Sequence, residues 1–144
     1  MLSTPHILVG AAIVKVIPNP AISLPLAFLS HLLFDAIPHW DFSPTLAPKT
    51  LFKIFLDYAL GMLLVFLLTL GSENQILILL GGVAATVPDF ILASFRLFNL
   101  QFLNFWPLSV FNKFHLDIQN RVSPLWGGLV SFVTVLICAF ILLK

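Results

Sequence analysis

From Leu125 to Leu143 the chain carries no charged side chain, and the runs Leu51 to Leu70 and Gln75 to Phe95 are nearly as apolar. A helix of about 20 apolar residues is ~30 Å long, the thickness of a bilayer's hydrocarbon core. Three such runs in 144 residues leave too little polar sequence to cover them in water. Hydrophobic residues make up 60% of the chain and charged residues 9%, with a mean hydropathy of +1.07. The predicted fold is therefore all-α: an integral membrane helical bundle of about five helical segments plus an amphipathic interfacial segment, forming one domain over residues 1–144. A formal net charge of +1 gives no reason to expect nucleic-acid binding. Cys138 stands alone in an apolar run, so no intrachain disulfide is available, and no basic region after Met1 suggests a cleaved leader.

Ser3-Thr4-Pro5 reads as a hydroxyl cap with proline at the first helical position, opening a helix to about Ile17 with a small-residue surface at Gly10, Ala11 and Ala12. At ~20–22 Å it is shorter than a full bilayer core. Pro18-Asn19-Pro20 stops it, and a second helix is expected from about Ala21 to Ile37, with Pro25 as a kink site. Pro44 and Pro48 mark a loop from Asp41 to Thr50, and Gly71 to Asn74 is a turn between the third and fourth helices. The fourth contains Gly81-Gly82 and Pro88-Asp89; the fifth opens at Ser123-Pro124. Between them, Phe98, Phe102, Phe105, Trp106, Phe111 and Phe114 interleave with Asn and Gln, a composition suited to the headgroup boundary. Read as a helix from Ser109 to Arg121, that segment puts Lys113, Asp117 and Arg121 on a solvated stripe and Asn112, His115 and Gln119 on a polar strip.

Most of the chain's chemistry lies in Leu29 to Asp41, which holds two histidines and two aspartates. On a helix His31 and Asp35 are spaced i, i+4, with roots ~5–6 Å apart, close enough to reach one cation. Pro38 ends the regular hydrogen bonding, and His39 and Asp41 follow. Lys49, Lys53, Arg96, Lys113 and Arg121 flank two of the connections, which the positive-inside rule places in the cytoplasm. The same topology brings His6, His31, Asp35, Asp57 and Asp89 to one depth near that face, with His39, Asp41 and His115 close by. An ionisable side chain in the membrane costs ~2.5–3.5 kcal/mol on insertion scales unless it is paired or bound to a cation. Five at one level point to a shared partner.

Imidazole and carboxylate without thiolate suit a divalent metal, Zn²⁺ in the first place and Mn²⁺ as the alternative, with donors enough for one or two ions. The candidate metal ligands are His6, His31, Asp35, His39, Asp57, Asp89 and His115. For Asp57 a pairing with Lys53, four residues earlier, is the competing assignment. His39 and Asp41, at the exit of the second helix, are the candidates for proton transfer.

Thr4-Pro5-His6, Ser30-His31-Leu32-Leu33-Phe34-Asp35, Pro38-His39-Trp40-Asp41 and Pro88-Asp89 together resemble the small inner-membrane proteins described as membrane-bound metal-dependent hydrolases. There is a more distant likeness to zinc-dependent phospholipase C. The resemblance implies His6, His31, Asp35, His39 and Asp89 as metal ligands, joined by Asp41. Ile91 stands where the family often carries a second acid. The expected activity is hydrolysis of a phosphoester, of a phospholipid or lipid phosphate, at the cytoplasmic face of the inner membrane. Lys49, Lys53, Arg96 and Arg121 would attract anionic groups, although topology alone accounts for them equally well. Two other classes compete: a metal or proton transporter, which would need polar residues at both membrane depths, and a scaffold whose metal only fastens helices. Turnover separates hydrolase from scaffold.

Overall fold

Proline opens three of the helices at the position where its missing N–H has no helical partner to lose. The computed structural model describes residues 1–42, 47–98 and 106–144, and of residues 95–98 the backbone alone. Pro44, Phe102 and Phe105 of the sequence reading, with the side chains of Arg96 and Phe98, lie outside the described residues. The described residues form six helices and no strand: α1 (Ser3–Val16), α2 (Pro20–Ala36), α3 (Pro48–Leu68), α4 (Gln75–Phe98), α5 (Trp106–Asp117) and α6 (Pro124–Leu143). Three of the helices are long and apolar enough to cross a membrane: α3, α6 and, over Gln75–Ser94, α4. This is a membrane protein.

The shortest of the apolar helices is the most deeply buried. α1 has 14 residues, and Ile7, Leu8 and Ala11 expose nothing. Its length of ~21 Å falls short of the bilayer core, which is tolerable because α2, α3, α4 and α6 all pack around it. A helix apolar on every side belongs inside a bundle. The packing against α4 depends on glycine. A Cβ on Gly10 would fall on the Gly81 carbonyl, and one on Gly81 would meet Val14 Cγ2 at 2.5 Å. The two backbones therefore touch directly, as small-residue interfaces allow. Outside this core the large side chains face outward: Phe55 of α3 is 63% exposed and Leu125 of α6 is 79%. Such surface is stable against lipid tails, where it costs nothing to leave it uncovered.

Two sequence expectations are corrected by long-range contacts. Ser3 does not cap α1 and Pro5 is its third residue, not its first; the cap position is Leu2, with no side-chain acceptor of its own. The acceptor comes from α3, where Asp57 receives the Ser3 N–H at 2.5 Å, the Thr4 N–H at 3.3 Å and the Thr4 hydroxyl at 2.7 Å. Orphan amides at a helix start need such an acceptor, and a carboxylate there also opposes the helix dipole. Asp57 is thus taken up as a cap in trans, neither gathered with the histidines nor paired with Lys53. The charge stripe of Lys113, Asp117 and Arg121 is also broken, because α5 ends at Asp117. Arg121 instead lies in an extended segment beside His39, where His39 N–H donates to Asn120 O and Val122 N–H to His39 O, both at 2.9 Å.

Replacing Asp57 with Ala should lower stability by about 1–2 kcal/mol, the usual worth of a cap, seen as a lower thermal midpoint in detergent with metal uptake unchanged. Loss of metal uptake at full stability would contradict the capping role.

Candidate metal centre

All the acids and histidines that matter sit at the end of the bundle where α1 begins and α2 ends. The last two turns of α2 present His31 and Asp35 on one face. α4 contributes Asp89, one residue after Pro88, and α5 contributes His115. One ligand-capable atom from each of His31, Asp35, Asp89 and His115 lies within 4.8 Å of all the others. The individual separations are short. His115 Nε2 is 3.0 Å from Asp35 Oδ2 and 3.1 Å from His31 Nε2. His31 Nε2 is 3.3 Å from Asp35 Oδ2 and 3.5 Å from Asp89 Oδ1, and His115 Nε2 is 3.7 Å from that same oxygen. A tetrahedral ion with bonds of about 2.0–2.1 Å sets its ligands ~3.3 Å apart, and these five separations are compatible with such a site.

The tautomer of His31 follows from its surroundings. Its Nδ1 lies 2.7 Å from the Ala85 carbonyl, which only accepts, so Nδ1 carries the proton. Ala85 is in the turn disturbed by Pro88, which has no N–H to give to the preceding turn. Backbone fixing of one imidazole nitrogen to aim the other is the usual outer shell of a metal histidine. The Nε2 of His31 then faces the oxygens of two carboxylates. One positive charge, a proton or a metal ion, has to lie among them, since lone pairs this close repel. The donor set and its spacing fit a divalent cation.

The other oxygen of Asp35 has its own company. The Met1 ammonium donates to Oδ1 at 2.6 Å, His6 Nε2 lies at 3.1 Å and His39 Nε2 at 3.8 Å. His6 also stacks on His31 with ring centroids 4.0 Å apart. His39 is fully buried, its Nδ1 donates to Ile37 O at 2.8 Å, and its Nε2 has no hydrogen-bond partner among the described residues. Burial, then the nearby Met1 ammonium, hold the His39 imidazole below its ordinary range. It is a neutral base at pH 7 with its lone pair turned towards Asp35.

The structure therefore brings together His6, His31, Asp35, His39, Asp89 and His115. It leaves Asp57 as the α1 cap and pairs Asp41 with Arg121 at 3.2 Å. His115 lies outside the motifs that carry the family resemblance, and its sequence signal is the polar strip it shares with Asn112 and Gln119. Met1 and Ala85 were missed, because they act through backbone groups; Arg121 was expected near the site as an attractor of anions, but not its pairing with Asp41. Comparison with family models, with curated proteins and with solved structures finds no match to this chain.

His115→Ala should weaken zinc or manganese binding by at least about tenfold, while Asp117→Ala, two residues away and exposed, should leave it unchanged. Titration of metal-stripped protein with each ion checks this, and binding should weaken as pH falls and the imidazoles protonate. Equal affinity in His115→Ala and the parent would remove His115 from the centre.

Proposed function

We propose that this protein is an integral-membrane, metal-dependent hydrolase acting on a phosphoester of a lipid or lipid phosphate at headgroup depth, on the cytoplasmic side of the inner membrane. The observation that supports this most is the four-residue centre of His31, Asp35, Asp89 and His115, buried except at Asp89. The Asp89 side chain is 42% exposed and lines a cavity of about 490 Å³. A centre built only to fasten helices needs no such opening.

A divalent ion held there supplies Lewis acidity, which lowers the pKa of water towards ~7 and offsets charge developing on a phosphoryl oxygen. The remaining work falls to the protein. His31 and Asp35 are held rigid by the Ala85 carbonyl and by the surrounding imidazoles. His39, neutral and with its Nε2 3.8 Å from Asp35, is the better placed of the two proton carriers. The apolar walls keep bulk water out and strengthen every charge interaction within.

The scaffold reading has one observation in its favour: the four side chains come from α2, α4 and α5, so an ion would tie three helices together. Turnover decides. Purified protein in lipid, loaded with zinc or manganese, should hydrolyse a phosphoester from a panel of phospholipids and lipid phosphates, and chelation should abolish this reversibly. His31→Ala and Asp35→Ala should lose metal and activity together. His39→Ala should keep metal and lose about 10²–10⁴-fold in rate, the usual worth of a general base. A folded, metal-loaded preparation inactive across the panel would favour the scaffold.

A further inference from the structure

The cavity beside Asp89 is walled by Leu51, Ile54 and Phe55 of α3, Phe90 and Leu92 of α4, and Leu116 of α5. Its volume of about 490 Å³ is in the range of small-ligand sites. Two of these wall residues also belong to the outer surface of the bundle: Phe55 is 63% exposed and Phe90 is 51%. The cavity is therefore continuous with the face that meets lipid tails. An apolar chain can pass from the bilayer into it without crossing water.

Its rim is polar, and the cation there is deliberately placed. Asp41, Gln119 and Arg121 all line the cavity. The backbone of Arg121 is fixed beside His39 by the paired hydrogen bonds of the extended segment. Its Nη2 donates to Gln119 Oε1 at 2.8 Å and meets Asp41 Oδ2 at 3.2 Å. Both contacts use Nη2, the nitrogen shared by the two bidentate edges of the guanidinium, Nε with Nη2 and Nη1 with Nη2, while Nε and Nη1 have no partner among the described residues. Once the Asp41 carboxylate gives way, either edge becomes the fork with which arginine grips phosphate in two parallel hydrogen bonds. A rim cation needed only for topology could point anywhere; this one is held at the mouth of an apolar cavity that leads to Asp89.

We propose that the cavity seats an anionic, phosphate-bearing lipid: its acyl chain lies between α3 and α4, Arg121 grips the phosphate, and Asp41 is the competitor that the phosphate displaces. This names the substrate class of the site proposed above and rests on that reading, but the binding itself requires neither metal nor turnover. Asp41 and Arg121 then have opposite effects on binding. Removing the Asp41 charge frees the guanidinium and tightens the complex; removing the Arg121 charge weakens it. A pair that served only to hold the chain in place would give two changes of the same sign.

The test uses the full chain, stripped of metal by chelation, so that failure of hydrolysis does not bear on it. Native mass spectrometry measures retention of a phosphatidate against a phosphatidylcholine of the same acyl chains, with inorganic phosphate as competitor. The parent should retain phosphatidate preferentially, and millimolar inorganic phosphate should not displace it. Arg121→Gln should lower retention about tenfold, as loss of charge-assisted hydrogen bonds predicts, Arg121→Lys should restore part of it, and Asp41→Asn should raise it. Ala93→Phe, which fills the cavity from α4, should lower it with the thermal midpoint preserved. Equal retention of the two lipids, displacement by inorganic phosphate, or a fall in both Asp41→Asn and Arg121→Gln would overturn the proposal.

Discussion

The carboxylate of Asp35 is the group on which the rest of this structure depends. It is 1% exposed, in a bundle made mostly of apolar side chains. A lone buried anion would cost several kcal/mol, and it is tolerable only when other groups supply positive charge or N–H donors. The Met1 ammonium supplies one donor at 2.6 Å, and α1 and α5 bring the rings of His6 and His115 to 3.1 and 3.0 Å. His31 of α2 and His39 of the segment after it, whose Nδ1 protons go to backbone carbonyls, turn Nε2 towards the carboxylate and call for a shared cation. Each of the two oxygens has its own set of neighbours, so the carboxylate links both halves of the cluster. Whatever cation the centre holds acts on a site that the protein has already assembled around this one charge.

That assembly explains features that look unrelated. α1 is too short to cross a bilayer alone, yet it must carry His6 to Asp35 and so runs through the middle of the bundle. It can do this because Gly10 and Gly81 let its backbone touch α4, which in turn sets Asp89 and the Ala85 carbonyl beside His31. Asp57 fastens the start of α1 to α3 and keeps that end at the level of the cluster. At the N-terminus of α6, Gly127 makes room for the backbone of Trp40, since a Cβ there would strike the Trp40 N–H. The His39 segment is thereby clamped between α6 and the strand-like run at Arg121. Packing at the apolar positions and polar geometry at one end are the same constraint seen from two sides.

Much of this was legible in the sequence, and the parts that were not share a cause. Helix positions followed from local punctuation: Pro18-Asn19-Pro20 separates α1 from α2, and Asn19 caps α2 by accepting the Ala21 N–H at 3.0 Å. The His31 and Asp35 pair was readable because i, i+4 spacing is local geometry. Asp57 was not, since its partners lie 54 and 53 residues away and nothing near it in sequence announces a cap in trans. α4 runs to Phe98, three residues beyond the expected end. Arg121 was read onto a helix that stops at Asp117, and only the backbone pairing with His39 reveals its place. Periodicity reports what a residue's own element does, whereas the rim and the caps are made between elements.

The most direct test of the central claim is metal-edge anomalous diffraction from the protein crystallised in lipid with zinc or manganese. The account predicts an anomalous peak among His31, Asp35, Asp89 and His115, with ligand distances of about 2.0–2.2 Å and a coordination position open towards the cavity at Asp89. No peak among those four side chains in protein shown to carry the metal, or a peak held elsewhere on the chain, would contradict it.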